Sequence, residues 1–261
     1  MTTPTNCRGI IAIPARRAST RLPDKLLLSR TGKPLIHHVI DRCRTAAAQS
    51  DGRLLEVVVA CDDEQLKQVA HRAGVRAILT GKHHTCGTTR IAEAIEYLPE
   101  NLKFDFVVNV QGDEPELAPE AILAVVETLL EDPEAPMATL AVSMPTGSEM
   151  MKQNPNAVKV IVDGRGRAMY FSRAPIPYDR NAADDDEPLW RHHLGIYAYR
   201  TSFLLDFARM PASPLEVREG LEQLRALDAG YTIRCGSVPA AWAAKGVDTE
   251  DDYAAFVSRA G

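Results

Sequence analysis

The chain has 261 residues, of which 45% are hydrophobic and 25% charged, and a formal net charge of −5. This length suits one large α/β domain or a domain with a smaller lobe, and the composition excludes disordered, fibrous and membrane classes. No Lys/Arg run of the kind that tracks a nucleic-acid backbone occurs, so positive charge with a function has to be local.

Ile10 to Ile13 is a short apolar run stopped by Pro14, the pattern of a buried strand that ends at a loop. Leu35, Ile36, Val39, Ile40, Cys43 and Ala47 recur at helical spacing, with Pro34 placed for the first turn. Leu54 to Ala60 reads as a strand, Glu64 to Ala73 as a helix, Val75 to Leu79 as a strand, Thr88 to Leu98 as a helix and Asp105 to Val110 as a strand. This alternation predicts a mostly parallel, Rossmann-like sheet covered by helices on both faces. After a helix over Pro119 to Leu130, strands follow one another at Met137 to Val142, Val158 to Val162, Ala168 to Phe171 and Leu194 to Tyr199. We therefore expect a single α/β domain over residues 1–261, with residues 137–200 supplying strands of a smaller antiparallel lobe. Asp184-Asp185-Asp186-Glu187 lies in a polar stretch that reads as a solvated loop rather than a metal site. Leu215 to Ala229 has a helical pattern closed by Gly230, and a last helix starts near Thr249, a good N-cap residue.

The five cysteines, Cys7, Cys43, Cys61, Cys86 and Cys235, are scattered and form no C-x-x-C pair, which fits a reducing cytosol. The polar first residues lead directly into a strand, which predicts no signal peptide, and no apolar run is long enough to span a bilayer. A cytoplasmic location without membrane or nucleic-acid partners follows as the expectation.

Three stretches carry chemistry. Pro14 to Lys25 places Arg16, Arg17, Arg21 and Lys25 just beyond a strand's carboxyl end, among small residues such as Ala18 and Ser19 that leave backbone N–H groups approachable. That edge of an α/β sheet is where ligands bind, and such a loop suits a polyphosphate. It matches neither the Walker pattern nor the dinucleotide fingerprint. Val107 to Pro115 delivers Gln111, Asp113 and Glu114 onto a glycine-containing turn at the same edge, where an acid can hold a divalent ion against phosphate oxygens. Asp248, before the last helix, is a second candidate acid. A basic loop with separated carboxylates is the inventory of nucleotidyl transfer.

The order and spacing of these and further segments resemble the 3-deoxy-manno-octulosonate (Kdo) cytidylyltransferases over nearly the whole chain. The segments are Ile13-Pro-Ala-Arg16 with Ala18-Ser-Thr-Arg-Leu-Pro23 and Lys25, Val108-Asn-Val-Gln-Gly-Asp-Glu-Pro115, Asn154-Pro-Asn-Ala-Val-Lys159 and Tyr170-Phe-Ser-Arg-Ala-Pro-Ile-Pro177. His193-Leu-Gly-Ile-Tyr-Ala-Tyr-Arg200, Ser213-Pro-Leu-Glu216, Leu221-Glu-Gln-Leu-Arg225 and Gly246-Val-Asp-Thr249 complete the set. The resemblance implies activation of Kdo with CTP for lipopolysaccharide assembly, Mg2+ as cofactor and a homodimer. Arg16, Ser19, Arg21 and Lys25 would hold the triphosphate, with Gly87 and Thr88 on the nucleotide side, and Asp113 and Asp248 would bind Mg2+. Gln111, Arg173, His193, Tyr199, Glu222 and Gln223 would contact the sugar. By itself, His193 beside His192 on an apolar strand reads as a structural histidine. Two alternatives stay open: a cytidylyltransferase for another acidic sugar, such as an amino-Kdo or a sialic-acid-like ketose, and a non-catalytic nucleotide or sugar-phosphate binder.

One stretch departs from the family pattern. Where the family usually reads Thr-Arg-x-Asp-His-x-Ser-Gly-Thr-(Asp/Glu)-Arg, this chain has Gly81, His83, Cys86 and Thr89 in place of Arg, Asp, Ser and an acid. That stretch is expected to help read the base.

Overall fold

The computed structural model describes residues 7–144, 148–178, 180, 190–243 and 245–260. The acidic run Asp184 to Glu187 lies outside the described residues. Alternation of strand and helix begins with β1 (Gly9–Ala15), α1 (Leu35–Ala48), β2 (Leu54–Cys61), α2 (Glu64–Arg72), β3 (Arg76–Leu79), α3 (Gly87–Glu96), β4 (Phe106–Asn109) and α4 (Pro119–Glu131). The alternation then gives way to runs of strands and of helices: β5 (Met137–Ser143), α5 (Glu149–Gln153), β6 (Lys159–Val162), β7 (Ala168–Ser172), β8 (Arg191–Arg200), α6 (Thr201–Arg209), α7 (Pro214–Glu219), α8 (Leu224–Asp228), β9 (Ile233–Val238) and α9 (Glu250–Ala260).

The sheet has the order β3-β2-β1-β4-β8-β5-β9. Strands β3, β2, β1 and β4 are parallel, β8 is antiparallel to both β4 and β5, and β9 is parallel to β5. Successive residues of β1 face opposite sides, as the pleat requires. Ile11, Ile13 and Ala15 enter a core under α1, α2, α4 and α9, whereas Ile10 and Ala12 enter a second core with α3, α6 and α8. Both faces being covered explains why β1 is apolar throughout rather than alternating.

Of the strands expected between residues 137 and 200, β5 and β8 run in the main sheet, while β6 and β7 form a hairpin that pairs with the start of β8. β8 is longer than its apolar pattern indicated, and Gly195 and Ile196 sit as a bulge between the pairs Thr139–Tyr197 and Leu140–Leu194. Bulges bend a strand beside a site and re-aim its side chains. The continuous helix expected over Leu215 to Ala229 is two short ones, because Gly220 adopts a left-handed φ of 62°. Ser213 and Glu216 form a reciprocal capping box at the start of α7, and Glu216 also binds the Arg225 guanidinium, holding the two pieces at an angle.

Candidate active site

The loop after β1 and the turn after β4 meet at the carboxyl edge of the parallel strands. Gly112 makes the meeting possible, since a Cβ there would lie 3.0 Å from the Pro14 carbonyl oxygen. Of the basic residues in the loop, Arg17 is spent on structure. Its Nε donates to Asp24 at 3.0 Å, its guanidinium reaches Asp63 at 3.2 Å, and its amide donates to Asp62 at 2.9 Å. Asp63 simultaneously caps α2 through the Gln65 and Leu66 amides, so the loop is clamped to that helix. Arg16, Ser19, Arg21 and Lys25 remain on the wall of a cavity of about 380 Å3, which Gly87 and Arg90 close from the α3 side.

Lys25 is the hub. Its ammonium donates to Asp113 at 2.6 Å, to Asp248 at 2.9 Å and to the Val247 carbonyl at 3.1 Å. Arg21 reaches the other Asp248 oxygen at 2.8 Å. Asp248 is delivered from the far end of the chain by α9, whose approach is fixed by the Val247 amide donating to the Asp113 carbonyl at 2.9 Å. Thr249 accepts from the Asp252 amide at 3.2 Å, the N-cap expected of it. Two carboxylates facing one cation in a partly open cleft are the hard oxygen donors that a divalent ion takes, so the donor set fits a metal.

A second cavity, of about 510 Å3, opens beside the first, and Gln111 lines both. Its walls carry Glu114, Arg173, His193, Tyr197, Glu222 and Gln223. His193 is buried, with Nε2 at 3.0 Å from the Thr139 hydroxyl, which itself donates to the Ile196 carbonyl at 2.7 Å. Burial, with the neighbouring His192, pushes the His193 pKa down to about 3, so the ring is neutral in the physiological range. Burial next to Asp113 and Asp248 pushes the Glu114 carboxyl up to about 8. The Gln223 amide nitrogen is buried without a hydrogen-bond partner, a group whose desolvation a ligand would offset.

A family model described as cytidylyltransferase matches residues 10–233. The 3-deoxy-manno-octulosonate cytidylyltransferase of Tolumonas auensis is 44% identical over 250 residues, with 93% of each chain covered. That of Syntrophobacter fumaroxidans is 46% identical over 245 residues, with 94% of each covered. The chain belongs to the 3-deoxy-manno-octulosonate cytidylyltransferase family. Among solved structures it is similar to CMP:2-keto-3-deoxy-manno-octonic acid synthetase complexed with CTP, at a TM-score of 0.85 and 38% identity over 97% of this chain and 98% of that one. The 4-diphosphocytidyl-2C-methyl-D-erythritol synthase of Anaerococcus prevotii, at 10% identity and a TM-score of 0.59, shares the fold.

Set against the positions the family resemblance implies, most expected residues lie on the two cavities and two do not. Tyr199 is buried in the core, packed against Phe203 and Phe207, while Tyr197 lines the second cavity. Thr88 is buried too, and its hydroxyl donates to Glu222 at 2.8 Å. The other Glu222 oxygen accepts from the Cys86 thiol at 2.9 Å, so a residue of the departing stretch holds a carboxylate of the second cavity. Arg173 stands at the rim of the second cavity but donates to the Glu219 carbonyl at 2.7 Å and the Pro155 carbonyl at 2.9 Å. The buried Lys159 anchors it through the Arg173 carbonyl at 2.6 Å, which ties two of the family segments together. Sequence reasoning placed Glu114 on the acid-bearing turn without a role in the second cavity, and missed Arg90 and Tyr197 as cavity residues. Arg90 closes the Thr80–Arg90 stretch, and its buried guanidinium bonds Thr80 at 2.8 Å and Asp62 at 3.2 Å.

Proposed function

We propose that the chain transfers the cytidylyl group of CTP to the C2 hydroxyl of Kdo and releases pyrophosphate. The observation that carries this reading is the convergence of Lys25, Asp113 and Asp248 at the wall of one cavity, with a second, sugar-sized cavity joined to it through Gln111. Arg16, Ser19, Arg21 and Lys25 hold the triphosphate and neutralise its charge. Asp113 and Asp248 would hold Mg2+, which when bound supplies charge neutralisation and a lowered pKa for the attacking hydroxyl. Lys25, now shared between these acids, then turns its charge to phosphate.

In the second cavity Gln111, Glu222 and Gln223 pair with sugar hydroxyls, and His193, neutral, acts as a hydrogen-bonding group rather than an acid or base. Arg173 supplies the positive field for the sugar carboxylate. The C2 oxygen bonds to the α-phosphorus as the bond to the β-phosphate oxygen breaks, its electron pair leaving with pyrophosphate and the hydroxyl proton passing to water. No covalent enzyme intermediate is required.

The enzyme is read as cytoplasmic and homodimeric. Met169, on β7, and Tyr178 expose apolar surface that such a pairing would cover. Sedimentation of the purified chain checks it, with a monomer at micromolar concentration counting against it. The central test follows pyrophosphate release with each nucleoside triphosphate, Mg2+ and Kdo. CTP with Kdo should turn over fastest, and absence of turnover with CTP across the pH range would overturn the reading.

A further inference from the structure

The turn before α3, at the edge of the first cavity, holds a cluster to which the proposed transfer assigns no step. We infer that His83, His84 and Glu93 form a site, distinct from the Asp113–Asp248 pair, for a borderline transition cation of the Zn2+ class that fastens the turn before α3 to that helix. Their ligand atoms all lie within 4.8 Å of one another. Tetrahedral Zn2+, with bonds of about 2.0–2.2 Å to imidazole nitrogen and carboxylate oxygen, needs them roughly 3.4 Å apart. A swing of the exposed His83 ring, with His84 and Glu93 parting from their hydrogen-bond contact, reaches that spacing.

The groups around the cluster orient it as supporting partners orient metal ligands. The Glu93 carboxylate accepts from the Gly81 amide at 3.1 and 3.2 Å. On its other side it meets His84 Nε2. His84 Nδ1 sits 3.1 Å from the Thr89 hydroxyl, which also lies 3.2 Å from the Cys86 carbonyl. In the metal-free chain the hydrogen bond to the Glu93 carboxylate places the ring hydrogen on Nε2, leaving Nδ1 to face the Thr89 hydroxyl. A cation would displace that hydrogen and take both Nε2 and the carboxylate oxygen as ligands.

His83 brings the second imidazole alongside, its ring 4.2 Å from that of His84. Gly81 is what admits it, because a Cβ at that position would overlap the His83 ring. Two departures from the family pattern thus share one consequence: Gly81 leaves room and His83 adds a nitrogen donor. Two imidazoles and a carboxylate select Zn2+ or its transition-metal neighbours over Mg2+, which prefers oxygen donors such as Asp113 and Asp248.

The test strips the purified chain with EDTA and titrates Zn2+ in competition with a chromophoric chelator. The parent chain and Asp113→Asn should each retain one tightly held equivalent. His83→Ala and Gly81→Ala should bind it at least about tenfold more weakly, the order of loss that ligand-shell changes produce. Zn2+ should raise the Tm of the parent and leave that of His83→Ala unmoved. Equal affinity in the parent and His83→Ala overturns the site, as does loss of the tight equivalent in Asp113→Asn, which would place the ion on the carboxylate pair. These readouts are independent of nucleotidyl transfer.

Discussion

Asp113 and Asp248 come from turns 135 positions apart in the chain and meet on the single Lys25 ammonium. Each lies near the surface, so replacing either with Asn removes a charge without opening the core. Such a change should lower kcat by at least about 100-fold, since metal-borne charge stabilisation is worth several kcal/mol. The Tm of each variant should stay within a few degrees of the parent, and unaltered turnover in either would remove that residue from the metal assignment. A carboxylate elsewhere gives a stability prediction. Asp132 accepts two bonds from Arg167, at 2.8 and 3.0 Å, which hold its carboxyl below the usual carboxylate range. A depressed folded pKa contributes stability above the unfolded value and loses it as pH falls through the folded one. Asp132→Asn should therefore cost about 1.5–3 kcal/mol at neutral pH, and its denaturation midpoint should converge on the parent's in acid. Parallel pH curves would contradict the pairing.

Among the elements, the break between α7 and α8 matters most for the site. Leu221 and Leu224 read as one helix's core face, and their burial bears that out, yet the helix stops at Gly220. Only a residue at ease in the left-handed region lets the chain turn there and present Glu222 and Gln223 to the second cavity. Gly220→Ala should cost about 1 kcal/mol of stability and raise the sugar KM more than that for CTP. Steady-state kinetics with each substrate varied in turn check this. The bulge at Gly195 and Ile196 is the other device that periodicity hides, because an apolar strand pattern carries no mark of the residues left unpaired.

At the scale of the molecule, the two cavities meet at Gln111 and are tied together by Glu222, which accepts from both Cys86 and Thr88. Thr88→Val keeps the shape and removes the hydroxyl. Freeing one oxygen of a charged group costs about 1.5 kcal/mol, so the sugar KM should rise about tenfold with little change in CTP binding. Equal effects on both substrates would mean that Thr88 serves the nucleotide directly. The alternating elements, the basic loop and the acid-bearing turn were legible in the amino-acid order because each rests on local periodicity or on a short run of charge. Family segments read in the same order gave Asp248 a role and brought Glu222 and Gln223 to attention. What the tertiary structure alone decided is which charged and polar side chains remain for ligands. Arg17 is consumed by Asp24 and Asp63, Tyr199 by the aromatic core and Thr88 by Glu222, whereas Arg21 and Lys25 stay at the cleft. The reason is physical: a side chain's partners come from strands and helices distant in sequence, and their convergence is set by sheet order and packing, which no local pattern encodes.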